Sequence, residues 1–198
     1  NIQAGALVDG FGAMGADALV AGRAIHQPIE TNAQIDEAFD TITYGKGGHV
    51  VAMIAGFMGD TKFRDGVRRY MAAHKYGNAT SADFFSAMAE ASGDPRILPA
   101  MQSFTDQQGV PLVTFDPDGK GGYRVTQSRY TRLVSTAPAI QWGIPLCARR
   151  LTGKKQCQLL DQQSGSIRLP GRGAIVPNVG GTGYYRFELP AGEWDALI

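Results

Sequence analysis

Ile42-Thr-Tyr44-Gly-Lys46-Gly-Gly-His49 opens an apolar helical stripe, directly after an amphipathic turn reading Ala33-Gln-Ile-Asp-Glu-Ala-Phe-Asp40. A helix over 44–57 puts Val50, Val51, Ile54, Phe57 and Met58 at offsets of zero, one, four, seven and eight, one face of a 3.6-residue repeat. Upstream, Thr31 or Asn32 is placed to cap a short helix carrying Ile35 and Phe39 on one face. Downstream, Gly59-Asp60 ends the central helix and caps the next, where Phe63, Val67, Tyr70, Met71 and His74 recur at helical spacing. Thr80-Ser81 starts a further helix with Phe84, Phe85 and Met88, and Gly93 stops it. A last helix over 96–105 is expected to bury Ile97, Leu98, Met101 and Phe104. Links this short predict helices that pack as neighbours.

The chain changes character once, near Gln107. After Gly109 it reads as short strands separated by turns: 111–115, 123–133, 140–149, 156–161, 166–169, 174–177 and 184–188. Asp116-Pro-Asp-Gly-Lys-Gly-Gly122 is the clearest turn among them. Seven short strands at this spacing predict a small β-sandwich. The fold class is therefore α+β in two domains, helices first and sandwich second. Gly192-Glu-Trp-Asp-Ala-Leu-Ile198 reads as the beginning of another helix.

The 198 residues suffice for one large or two small cores. Hydrophobic residues make up 43% and charged residues 19%, as in a folded soluble protein. A net charge of +1 gives no reason to expect nucleic acid or an anionic membrane as a partner. No apolar run approaches the roughly 20 residues that span a bilayer. The chain starts at Asn1 rather than Met, which leads us to expect that the natural N-terminus, with any targeting signal, has been removed.

Local motifs carry less. Gly45-Lys-Gly-Gly48 lacks the GxxxxGK[ST] spacing of a phosphate loop, so close helix packing is the expected role of its glycines and a local ion pair or hydrogen bond that of Lys46. His26, His49 and His74 lack the partners that metal spacing requires and read as structural or surface residues. Asp36, Glu37 and Asp40 read as a solvated face that caps the segment after it. Cys147 and Cys157 are symmetric about Thr152. If Leu151-Thr-Gly153 is a hairpin turn their sulfurs face each other, as a disulfide in an oxidising compartment or as two buried thiols. The first alternative favours a periplasmic or secreted location, the second a cytoplasmic one.

Taken in order, these segments resemble the zinc aminopeptidases of the M1 (gluzincin) family. Asp17-Ala-Leu-Val-Ala-Gly-Arg23-Ala-Ile-His-Gln-Pro28-Ile is similar to the stretch that follows the family's zinc-binding helices. Ile35-Asp-Glu-Ala-Phe39-Asp40-Thr-Ile-Thr-Tyr44-Gly-Lys46-Gly47 is similar to its next landmark. Further matches run through Phe63–Tyr70, His74–Thr80, Asp83-Phe-Phe, Phe104–Pro111, Trp142–Leu146 and Asn178–Arg186. Gln34, Ala24 and Phe104 depart from the usual glutamate, proline and tryptophan.

The resemblance implies a middle slice of such an enzyme. Residues 1–108 correspond to the helical C-terminal part of a thermolysin-like catalytic domain, 109–190 to an immunoglobulin-like β-sandwich, and 191–198 to the start of a helical domain. It implies zinc and a peptide substrate for the parent enzyme, with the HEXXH helix, the further zinc-binding glutamate and the large C-terminal domain supplied elsewhere. No metal is expected to bind this piece, and no catalysis is expected from it alone. Tyr44 matches the family's transition-state tyrosine. A tyrosine suits that task because, with an ordinary pKa of about 10, it remains a hydrogen-bond donor at working pH. The alternative is a non-enzymatic scaffold or interaction module from a family member without a working metal site.

Overall fold

The computed structural model describes residues 2–19, 22–132 and 138–196. The expected helices form α2 (Asn32–Glu37), α3 (Gly47–Met58), α4 (Asp60–Ala73), α5 (Ser81–Ser92) and α6 (Ile97–Thr105). A helix the periodicity did not signal, α1 (Ile2–Asp17), precedes them. Its glycines at 5, 10, 12 and 15 each cost about 1 kcal/mol of helix propensity relative to alanine. Packing of Ala13 and Met14 into the core offsets part of that cost.

Caps fix the helix ends. Thr80 and Asp83 form a reciprocal capping box at α5, and Gly93 closes that helix in the left-handed region at φ 77°. At α2 the Gln34 Oε1 accepts from the Thr31 backbone N–H at 3.0 Å, so glutamine supplies the acceptor that a glutamate would. The expected apolar face of α2 does not form, because the helix is six residues long and ends before Phe39. Ile35 and Phe39 are exposed instead, and the Phe39 ring leans toward Tyr44.

Among the described residues seven strands follow: β1 (Val110–Pro117), β2 (Gly122–Tyr130), β3 (Ile144–Arg150), β4 (Gln156–Leu160), β5 (Ser164–Arg168), β6 (Ile175–Val176) and β7 (Arg186–Glu188). The expected end of the second strand at Leu133 lies outside the described residues. One sheet has the order β5-β2-β1-β7 and the other β4-β3-β6. All pairs are antiparallel except β1 with β7. Alternation sends Val113, Phe115, Tyr123 and Val125 inward to meet Ile144, Leu146 and Leu160 from the facing sheet. A short helix, α7 (Ala191–Asp195), ends the described chain; Leu197 and Ile198, the end of the expected helix, lie outside it. The α7 carboxylate of Glu193 accepts from Ile175 N at 3.1 Å and from the Tyr123 hydroxyl.

Cys147 and Cys157 stand directly opposite each other on β3 and β4 and are disulfide-bonded. The turn begins at Leu151, as the symmetry of the two cysteines anticipates. Bonding of the pair favours a periplasmic or secreted location, because disulfides persist in oxidising compartments.

Helices and sandwich share one apolar cluster. At its centre Asp17, at the end of α1, pairs with Lys46 at 3.0 Å, and both side chains are fully shielded from solvent. Asp17 also accepts from Gly109 N at 2.8 Å and from the Tyr184 hydroxyl at 3.1 Å. Lys46 donates to the Gln107 carbonyl at 2.8 Å. Lys46 is thus bonded to α1 and to the α6–β1 junction, rather than locally as its sequence context predicts. Its long stem carries the ammonium past its own turn into the interface. Nearby, Met53 Sδ accepts from Tyr184 N, and Ser103 Oγ accepts from Gly143 N.

Lys46→Met should lower the free energy of unfolding by about 3–5 kcal/mol, because it leaves a buried carboxylate without its counter-charge. The double variant Asp17→Asn/Lys46→Met should recover most of that loss in urea titrations. A single-variant cost below about 1 kcal/mol would contradict a dry ion pair. Reduction of the disulfide should cost about 2–3 kcal/mol, from the entropy of the loop closed by a sequence separation of 10, and leave the far-ultraviolet dichroism unchanged. A protein that takes up thiol label without prior reduction would contradict the bond.

Candidate functional site

Between α2 and α3 the backbone makes a π-helical turn, Ile42–Lys46, which runs without a break into α3. Such an extra-residue turn rotates successive side chains out of the α-helical phase and recurs at functional sites. Here it separates neighbours by environment. Ile42 and Lys46 face the core, while Tyr44 projects outward with 64% of its surface exposed.

The turn is held close to α1. A Cβ added at Gly45 would lie 2.8 Å from the Ala13 Cβ, so only glycine lets the two backbones approach this closely. Of the glycine cluster for which the sequence predicts a packing role, Gly45 fills it, whereas a Cβ at Gly48 would meet nothing within 4 Å. His49, one turn further on, sits with its Nδ1 2.9 Å from the Gly45 carbonyl oxygen and its ring near Tyr184. His49 thus contacts its own turn and also borders the cleft beside Tyr44. His26 lies on the surface against Asp106, and the His74 ring lies against Tyr70.

Tyr44 stands at the edge of an open cleft of about 670 Å³, bordered by Asp9, Gly12, Thr41, Gly48 and His49. Among the described residues its hydroxyl has no hydrogen-bond partner, so the donor is available to a ligand. The buried Tyr184 differs. Burial and the adjacent Asp17 carboxylate push its hydroxyl above the ordinary tyrosine pKa, so it remains a proton donor to Asp17. Lys46 responds in the opposite direction. Burial lowers its pKa and Asp17 partly restores it.

Asp40 caps the turn by accepting from Thr43 N at 2.9 Å, and it pairs with Arg23 at 2.6 Å. The capping role predicted for the acidic run falls on Asp40; Asp36 is exposed. The resemblance takes in Asp17 and Arg23 as landmarks of one matched stretch and spans Tyr184, but the sequence gives none of the three a role. Their side-chain partners lie far away in the chain, so local sequence could not show them; Val20 and Ala21, between Asp17 and Arg23, lie outside the described residues.

Among the described residues no group of three or more His, Cys, Asp or Glu is arranged to hold a metal ion. Zinc, implied by the resemblance, therefore has no ligand set among them.

The helical half, residues 4–107, matches the Peptidase family M1 domain. The chain is 31% identical over 187 residues to the tricorn protease-interacting factor F2 of Thermoplasma acidophilum, covering 94% of this chain and 23% of that protein. It is 33% identical over 172 residues to the probable aminopeptidase 1 of Sulfurisphaera tokodaii, covering 82% of this chain and 21% of the relative. It is 29% identical over 218 aligned residues to the human endoplasmic reticulum aminopeptidase 2, covering 92% and 23%. The chain thus spans less than a quarter of the length of these relatives, across both the helices and the sandwich. On the family match and these identities, it belongs to the M1 peptidase family.

Proposed function

We propose that this chain is the part of an M1 aminopeptidase that supplies the oxyanion donor, Tyr44, and that the full-length protein removes residues from peptide N-termini. In this reading residues 1–108 close the catalytic domain, 109–190 form the sandwich beside it, and 191–198 lead into a further helical domain. The observation that carries the reading is the exposed, unbonded Tyr44 hydroxyl at the edge of a cleft, on a turn whose flanks are fixed.

The chemistry derives from that placement. When water attacks the scissile carbonyl, charge develops on the carbonyl oxygen. A donor that is rigid before the reaction stabilises that oxygen more in the transition state than in the ground state. The hydroxyl of Tyr44 donates to it. Holding the metal and activating the water are tasks for residues outside those described. No step through a metal is assigned to this chain.

Tyr44→Phe in the full-length protein should lower turnover about 100- to 1,000-fold and leave the fold intact, since the ring is retained and only an exposed hydroxyl is lost. Unchanged turnover on an aminoacyl chromogenic substrate would refute the role. The 198-residue polypeptide alone should cleave no such substrate. Chelator-sensitive cleavage by it would overturn the division of tasks proposed here.

A further inference from the structure

One guanidinium holds the approach to Tyr44. Arg23 Nη2 contacts Asp40 Oδ1 at 2.6 Å, Thr43 Oγ1 at 3.0 Å and the Ala38 carbonyl at 3.4 Å, while Nη1 donates to the Ala24 carbonyl at 2.9 Å. The same Asp40 Oδ1 accepts from Thr43 N, and the Asp40 carbonyl accepts from Tyr44 N at 3.1 Å. Arg23 thus bonds to the chain just before the turn and to the residue immediately preceding Tyr44. Burial alone would raise the Asp40 carboxyl, but the Thr43 amide and Arg23 together hold it below the ordinary carboxylate range. Asp40 therefore keeps its charge at neutral pH. On the far side of Tyr44, Gly45 is wedged against Ala13, and Lys46 is locked to Asp17.

A salt bridge serving only stability would contribute little here, since both partners are partly open to solvent. Its geometry suits another task. Planar and fork-shaped, a guanidinium can bridge several acceptors at fixed angles, which a lysine cannot. An exposed tyrosine gains precision only through its backbone, and the backbone N-terminal to Tyr44 is what Arg23 fixes. We propose that Arg23 is a positioning residue, which through Asp40 and Thr43 aims the Tyr44 hydroxyl at the developing oxyanion. The inference rests on the reading of Tyr44 as the oxyanion donor.

The test is a double-mutant cycle in the full-length protein, read by steady-state kinetics on an aminoacyl chromogenic substrate. Arg23→Met should lower kcat about 10- to 100-fold with KM within about twofold, the pattern of lost aim rather than lost binding. In the Tyr44→Phe background the same change should cost less than about twofold, because the group being aimed is gone. Equal losses in both backgrounds, or no loss beside an intact Tyr44, would overturn the inference. A harmless Tyr44→Phe would instead sink the reading of Tyr44, and this inference with it. Should Arg23→Met fail to fold, Thr43→Val removes one arm of the clamp with no change in side-chain shape. It should show the same dependence on Tyr44, and a loss that persists in the Tyr44→Phe background would count against the clamp.

Discussion

Asp17 and Lys46 meet at 3.0 Å with no solvent contact, at the point where the first helix, the π-helical turn and the sandwich converge. Two charges removed from water are tolerated only when their remaining hydrogen-bonding capacity is filled. Here partners come from several sides. The backbone of Gly109 and the hydroxyl of Tyr184 donate to the carboxylate, and the carbonyl of Gln107 accepts from the ammonium. The Tyr184 ring also lies 5.8 Å from that ammonium. The partners come from separate segments of the chain, so sliding any one of them leaves a buried charge unpaired. Apolar packing is non-directional, whereas these polar contacts require particular partners at particular angles.

That constraint reaches the candidate site along one short turn of backbone. Lys46 is anchored inward, and Tyr44, on the same turn, is thereby directed outward. The turn cannot rotate without pulling Lys46 from its carboxylate, and it cannot retreat from α1 without opening a gap beside Ala13. Arg23 and Asp40 complete the arrangement from the other end. An exposed hydroxyl on so restrained a backbone is what electrostatic preorganisation asks of a donor.

Much of this was legible in the sequence. Apolar periodicity places α3 to α6, and the seven strand segments recur in order, because each element there buries a face whose spacing matches its backbone. The disulfide was readable only as one of two alternatives. Its sulfurs face each other because the hairpin pairs Cys147 with Cys157, a register that spacing suggests but cannot decide. The first helix was illegible, since its glycines lower propensity and interrupt the apolar pattern. Gly10 and Gly45 sit where other groups come close, and local sequence does not show such approaches. Ile35 and Phe39 misled, because apolar side chains at helical spacing carry no information on whether the helix lasts long enough to bury them. Lys46 looked local for a similar reason. Its partner lies in an earlier helix that periodicity does not reveal, and only the tertiary fold brings the charges together.

The buried pair joins the two halves and holds the turn that carries Tyr44. Amide hydrogen exchange in the wild type and in Asp17→Asn tests it most directly, because exchange reports opening segment by segment. Asp17→Asn should sharply accelerate exchange over residues 42–47 and at Gly109, while α4 and α5, which lie outside the network, keep their protection. Unchanged protection in the 42–47 segment, or a loss spread evenly over all helices, would contradict it.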